Sequence, residues 1–165
     1  MKKFLVTQKF DATSDQVATA FNEQTTWQGF AGLPFVGDPT LVSFTPGAIT
    51  EISMSYRVMI HLPALAEAFI DEDKMTFVEN TRLQANGSGT FDIVPDHYEN
   101  LLKASGRIEM VPFDDGRCER LIQGSVDLSL GWTGKLFEGP VEDAIVTGFK
   151  DALVAQAKQV AFPRI

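Results

Sequence analysis

At 165 residues, 44% of them hydrophobic, the chain has the length of one domain and enough apolar material for a substantial core. Its formal charge of −8, with no dense basic patch to offset it, opposes electrostatic binding to DNA, RNA or anionic lipid surfaces, which require neutralising cations. No run of about 18 apolar residues occurs, and Met1-Lys2-Lys3 leads directly into Phe4-Leu5-Val6-Thr7 without a signal core; the expectation is one domain over 1–165, cytoplasmic and without integral membrane association.

Residues 3–11 alternate, with Phe4, Val6 and Phe10 on one face and Lys3, Thr7, Lys9 and Asp11 mostly on the other, which predicts a half-buried strand. Ser14 is placed to cap a short helix through Phe21, and a second helical turn is expected around Thr26-Trp27-Gln28-Gly29-Phe30. Gly32, Pro34, Gly37 and Pro39 then break the periodicity and predict a loop. From Thr40 onward the turn chemistry is regular. Pro46-Gly47 fits a type II turn, while Asn86-Gly87 and Asp115-Gly116 are hairpin signals separating sequential antiparallel strands.

Period-two alternation assigns the inward face of each strand. One set is Ile52, Met54, Tyr56, Val58 and Ile60; the next is Phe77, Glu79, Thr81 and Leu83. Phe91 and Ile93 follow, then Leu102, Ala104, Gly106, Ile108 and Met110, and finally Ile122, Gly124, Val126 and Leu128. Between two of the strands, residues 62–70 are too apolar and helix-prone for an ordinary turn; they read as a flap with Leu65 and Phe69 as a gate, or as a short helix fixed to the sheet edge. Pro140 suits the first turn of a last helix over 141–160. Its apolar stripe is Val141, Ile145, Phe149 and Leu153, extended by Ala152, Ala157 and Val160, with Glu142, Asp143, Lys150 and Lys158 expected in solvent.

This order of elements resembles the Bet v 1-like, or START-like (SRPBCC), superfamily, whose helix-grip fold is one strand, two short helices, six sequential strands and a long final helix. Leu62-Pro63-Ala64 with Phe69, and Phe137-Glu138-Gly139-Pro140-Val141-Glu142, more narrowly resemble an actinobacterial START-like family of unknown function, the DUF2505 type. The resemblance implies an α+β fold in which a curved seven-stranded antiparallel sheet wraps the C-terminal helix, with an apolar tunnel between them. Across the superfamily such tunnels hold lipids, sterols, polyketides or plant hormones. It implies no shared catalytic motif.

The chemistry is otherwise sparse. Cys118 is the one cysteine, which excludes an intrachain disulfide and opposes a thiolate metal site; it reads as a small buried strand residue. The two histidines, His61 and His97, lack zinc-helix spacing, and there is neither a GxSxG elbow nor a GxxxxGK phosphate loop. No metal and no cofactor is expected. Three polar side chains that fall among the inward sets are Gln8, Tyr56 and Glu79, and a carboxylate on a closed apolar face needs a hydrogen-bond partner, a cation or a wet cavity. Arg82 and Arg120 are the arginines weighed as partners of Glu79. Small residues at Ala104, Gly106 and Gly124 face either bulky neighbours such as Phe149 and Phe21, or open space.

The resulting expectation is non-catalytic binding of a small hydrophobic molecule, a lipid or aromatic metabolite, in a cavity lined by Tyr56, Val58, Phe77, Glu79, Phe91, Ala104, Gly106, Ile108, Gly124, Ile145 and Phe149. Two alternatives stand beside it. A cyclase-like or hydrolase-like enzyme would use Glu79 as acid or base, and an interaction module would present Leu65, Phe69 and Trp132 as an exposed apolar patch.

Overall fold

The computed structural model describes residues 1–59, 67–68 and 70–162, with the side chains of Trp132 and Thr133 left aside. The chain runs β1 (Lys2–Phe10), α1 (Ser14–Phe21), α2 (Gln24–Gln28), β2 (Val36–Thr45), β3 (Ile49–Val58), a 3-10 turn (Glu72–Lys74), β4 (Thr76–Gln84), β5 (Gly89–Pro95), β6 (Leu102–Pro112), β7 (Cys118–Leu128) and α3 (Gly131–Gln159). The strands form one seven-stranded antiparallel sheet in the order β1-β7-β6-β5-β4-β3-β2.

Alternation orients the strands as expected: Ile52, Met54, Tyr56 and Val58 are buried together with Phe77, Thr81, Leu83, Phe91, Ile93, Ile122 and Val126. Ile60 lies outside the described residues. Gly87 (φ +83°) and Gly116 (φ +82°) close their hairpins in the left-handed region, where a Cβ would be strained. In each the glycine N–H returns to the residue three positions earlier, to Gln84 O (3.0 Å) and Phe113 O (3.3 Å). These are turns ending in a left-handed residue, a common hairpin geometry.

A row of register partners crosses four strands: Phe4 opposite Gly124, Gly124 opposite Gly106, and Gly106 opposite Phe91. The two phenylalanine rings, 6.4 Å apart, roof the glycine pair. A Cβ on Gly106 would lie 2.0 Å from Gln123 O and 2.7 Å from Phe91 Cε1; one on Gly124 would lie 2.6 Å from Ser105 O and 2.9 Å from Phe4 Cζ. The small residues therefore answer to close backbone approach and to Phe4 and Phe91, not to Phe149, Phe21 or open space.

Four local expectations are corrected. The first helix is capped by Thr13, not Ser14: Thr13 Oγ1 accepts from Gln16 N–H (3.2 Å) and Gln16 Oε1 accepts from Thr13 N–H (3.0 Å), a capping box. Thr13→Ala is expected to cost about 1 kcal/mol in chemical denaturation, with Thr13→Ser close to neutral. The stretch around Gly37 and Pro39 is strand β2, not loop; proline is tolerated because β2 is an edge strand and the register slips between Gly37 and Thr40. Gly47 has no left-handed φ, so Pro46-Gly47 does not form a type II turn. Finally, α3 begins at Gly131 and holds Pro140 in its interior. Pro140 is exposed and Leu136, whose carbonyl loses a partner, is 87% exposed, so the interruption falls on a turn open to solvent.

The helix lies across β1 and β7. Lys2 of β1 ion-pairs with Asp143, and Gln8 Nε2 donates to Leu153 O (2.5 Å) and Gln156 Oε1 (3.1 Å). Val141, Ile145, Phe149, Ala152 and Val160 are buried as their spacing predicts. Glu142, expected in solvent, is buried: Leu128 N–H donates to its Oε1 (2.9 Å), which satisfies the last amide of β7. Phe35 (φ +69°) reaches α3 as well, its ring occupying the place a Gly148 side chain would take and meeting Phe149 edge-on at 5.3 Å.

Candidate functional site

Beneath the C-terminal half of α3 the curved sheet leaves an inner chamber. Aromatic rings from Phe4, Trp27, Tyr56, Phe77, Phe91 and Phe149 form most of its wall, with Ile93, Ile108 and Ile122 between them. Trp27 belongs to α2, and its Nε1–H is satisfied by Phe21 O at 2.9 Å, so the indole presents only apolar surface inward. Four polar side chains converge on the same space: Glu79, Thr81, Arg120 and Gln156.

Arg120 is the centre of this polar group. It is 2% exposed, its register partner is Gln8, and Nη1 donates to Gln8 Oε1 at 2.8 Å. The guanidinium carbon stands 3.9 Å from the Phe21 ring centroid, a cation–π contact. Its Nε–H is buried and has no hydrogen-bond partner among the described residues. Burial pulls the group down to about 10, against the Glu79 charge, which raises it; it stays cationic at neutral pH. An orphaned charged donor in an apolar wall is costly unless something else meets it.

Glu79 sits across the chamber on β4, on the concave face as parity requires. Protein encloses its carboxyl while the side chain keeps some accessible surface, as expected for a group on a cavity wall. Burial raises its pKa above the ordinary glutamate range; the Arg120 charge and a 3.4 Å hydrogen bond from Thr81 Oγ1 pull it back, and Asp92 pushes it up again. Neither arginine forms an ion pair with it among the described residues, because Arg82 is engaged with Glu51 and Asp92. Tyr56 shows the same field: burial first, and Glu79 second, raise its phenol well above the ordinary value.

The pH dependence of Glu79 runs opposite to that of a salt-bridged carboxylate. Its folded-state pKa exceeds the unfolded one, so its contribution to stability is complete below about 4.3, the ordinary glutamate value, and is lost as pH rises through the raised value. Compared with Glu79→Gln, the parent protein is therefore expected to lose melting temperature progressively across that window. Parallel melting curves from pH 4 to 8 check this, and a parent that gained melting temperature relative to the variant as pH rises would contradict it.

A second, outer chamber lies further along the groove under the middle of α3, walled by Val58, Ile70, Met75, Tyr98, Leu102, Leu128, Val141 and Ile145. Phe77 is the residue shared by both walls. It stacks on Tyr56 (5.4 Å, 28°) and meets Phe149 edge-on (5.8 Å). Each chamber has a free volume of about 50 Å³, room for a few waters. Sites for drug-sized ligands span roughly 300–1,000 Å³, so an occupant larger than a few waters must displace side chains.

Of the expected lining residues, the structure places Tyr56, Phe77, Glu79, Phe91, Ile108 and Phe149 on the inner chamber and Val58 and Ile145 on the outer one. Ala104, Gly106 and Gly124 lie on the concave face outside both walls, the glycines beneath the Phe4 and Phe91 rings. Leu65, Phe69, His61 and the side chain of Trp132 fall outside the described residues. Arg120 and Gln156 were missed as site residues. Arg120 shares the parity of Ile122 and Gly124, so extending that set one step would have found it; Gln156 continues the α3 stripe three residues beyond Leu153. No group of acidic, histidine and cysteine side chains suited to a metal occurs among the described residues, and no described helix is long and apolar enough to cross a membrane.

A curved antiparallel sheet closed by a long C-terminal helix, with two short helices after the first strand, is the helix-grip fold. Solved structures share it over nearly the whole chain. A protein from Thermus thermophilus superposes with a TM-score of 0.68 at 11% identity, covering 96% of each chain. The Zhui aromatase/cyclase from a Streptomyces species gives 0.60 at 10% identity, over 95% of this chain and 93% of that one. Norcoclaurine synthase from Thalictrum flavum gives 0.56 at 13% identity, over 96% and 87%. No family model and no curated protein matches the sequence.

Proposed function

We propose that this protein binds a small, largely apolar molecule with at least one ring in the inner chamber. The observation that carries the reading is the combination of an aromatic wall with a few convergent polar side chains, one of them Arg120, whose buried Nε–H has no partner among the described residues. Affinity comes from apolar area removed from water, at about 25 cal/mol per Å², while Arg120, Glu79 and Gln156 orient the polar edge. The narrower likeness to the actinobacterial proteins, carried by Leu62-Pro63-Ala64 with Phe69, outside the described residues, and by Phe137 to Glu142 at the helix, adds no chemistry of its own.

The test is a titration with 2-naphthol followed by methyl NMR. Ile93, Ile108 and Ile122 methyl resonances are expected to shift with saturation, while Ile52, buried but not on the wall, stays put. Unmoved chamber methyls at millimolar probe would remove the reading.

A second reading has its own observation, the raised pKa of Glu79 in the chamber. A carboxyl whose pKa burial raises suits general acid–base work on a bound ring compound, and two of the structural neighbours are, by name, an aromatase/cyclase and a synthase. Turnover lost in Glu79→Gln with probe binding retained would favour this reading over simple binding.

A further inference from the structure

We propose that the two chambers are one bipartite site for an elongated amphiphile: a terminal oxygen acceptor rests on Arg120 in the inner chamber and an apolar tail passes Phe77 into the outer one. The inference rests on the inner chamber being a binding site, and it adds what the ligand's far end must be.

The geometry carries it. The chambers succeed one another along a common axis on the elements that wall both. On β3 the wall passes from Tyr56 to Val58, on β7 from Arg120 and Ile122 to Leu128, and on α3 from Gln156 and Phe149 to Ile145 and Val141. On β4 it passes from Thr81 and Glu79 to Phe77, and on to Met75 just before the strand. Phe77 stands at the junction, in both walls, and its ring is the side chain that must turn for the two spaces to join. The chemistry is graded along the same axis. Arg120, Glu79, Thr81 and Gln156 belong to the inner end, whereas little but apolar surface bounds the space beside Ile145 and Val141.

At the inner end an acceptor is favoured over a donor. Arg120 holds a buried N–H with no partner among the described residues, whereas Glu79 already accepts from Thr81. A ligand oxygen satisfies the orphan and shares its charge, at the cost of lying near the Glu79 carboxyl. The groups facing that carboxyl are Arg120 from β7, Tyr56 from β3 and Thr81 on its own strand.

The experiment uses unbranched alkanoic acids from hexanoic to hexadecanoic acid, with the n-alkylamines of equal length as controls, read by calorimetry and by isoleucine methyl NMR. Short acids should shift only the inner-wall methyls of Ile93, Ile108 and Ile122; longer ones should add Ile145 and Ile70. Affinity should rise about fourfold per methylene through the length at which Ile145 first responds. Acids should exceed amines at least tenfold, and Arg120→Gln should abolish that preference while keeping the dependence on length. Phe77→Trp should weaken long acids and spare short ones. An Ile145 signal silent at every length, a plateau before it responds, or amines binding better than acids would overturn the proposal. If 2-naphthol still shifts the inner methyls in that case, only the bipartite site fails; if nothing shifts them, the binding reading fails with it.

Discussion

Phe149→Ala is expected to lower stability by about 3–5 kcal/mol in chemical denaturation, with little change in the denaturant slope. The ring is 8% exposed and meets Phe35 and Phe77 edge-on, at 5.3 and 5.8 Å. Removing it takes away transfer free energy and leaves a hole that α3, pinned by Gln8 to Leu153 and Gln156, cannot collapse into. The same truncation enlarges the inner chamber, so the variant should bind a bulkier naphthalene derivative more tightly than the parent while being less stable. A loss under about 1 kcal/mol would show that the ring is not core.

Gly106→Ala is expected to be at least as damaging, about 3 kcal/mol or more, from a single added methyl group. The new Cβ would lie 2.0 Å from a backbone oxygen on the next strand, which no rotamer change relieves. Shrinking Phe91 to leucine in the same chain should restore little, because the backbone contact remains. If the double variant recovered most of the loss, the ring and not the strand spacing would be the constraint.

Much of the architecture was legible because it depends on periods that local sequence imposes. Alternation in Ile52 to Val58 and in Phe77 to Leu83 fixed which side faces α3, and four-residue spacing fixed the buried face of the helix. What depends on distant partners was not. Pro140 looks like a helix start when only its missing N–H is considered; the turn before it is open to solvent, and the interruption falls there. Glu142 reads as a solvated acid until the end of β7 is seen to need an acceptor. Small residues at Gly106 and Gly124 left bulky neighbours and open space as alternatives, and only the register reveals two phenylalanines from different strands leaning over them. At the site, Glu79 was found by parity and Arg120 was weighed only as its companion, although it is the more exceptional group. An unmet donor is a property of its surroundings, and composition does not carry it.

The pairing of β1 with β7 sets the order in which the molecule can be assembled. Lys2 stands opposite Val126 and Phe10 opposite Cys118, so the first strand finds its neighbour only after the last strand has been made. The meander from β2 to β7 needs no such wait, since each hairpin closes through nearby residues. During synthesis the apolar side of β1, with Phe4, Val6 and Phe10, stays uncovered the longest, which makes it the segment most exposed to wrong partners. Slow steps in refolding should therefore depend on mutations in β1 and β7 and be insensitive to those in the β4–β5 turn.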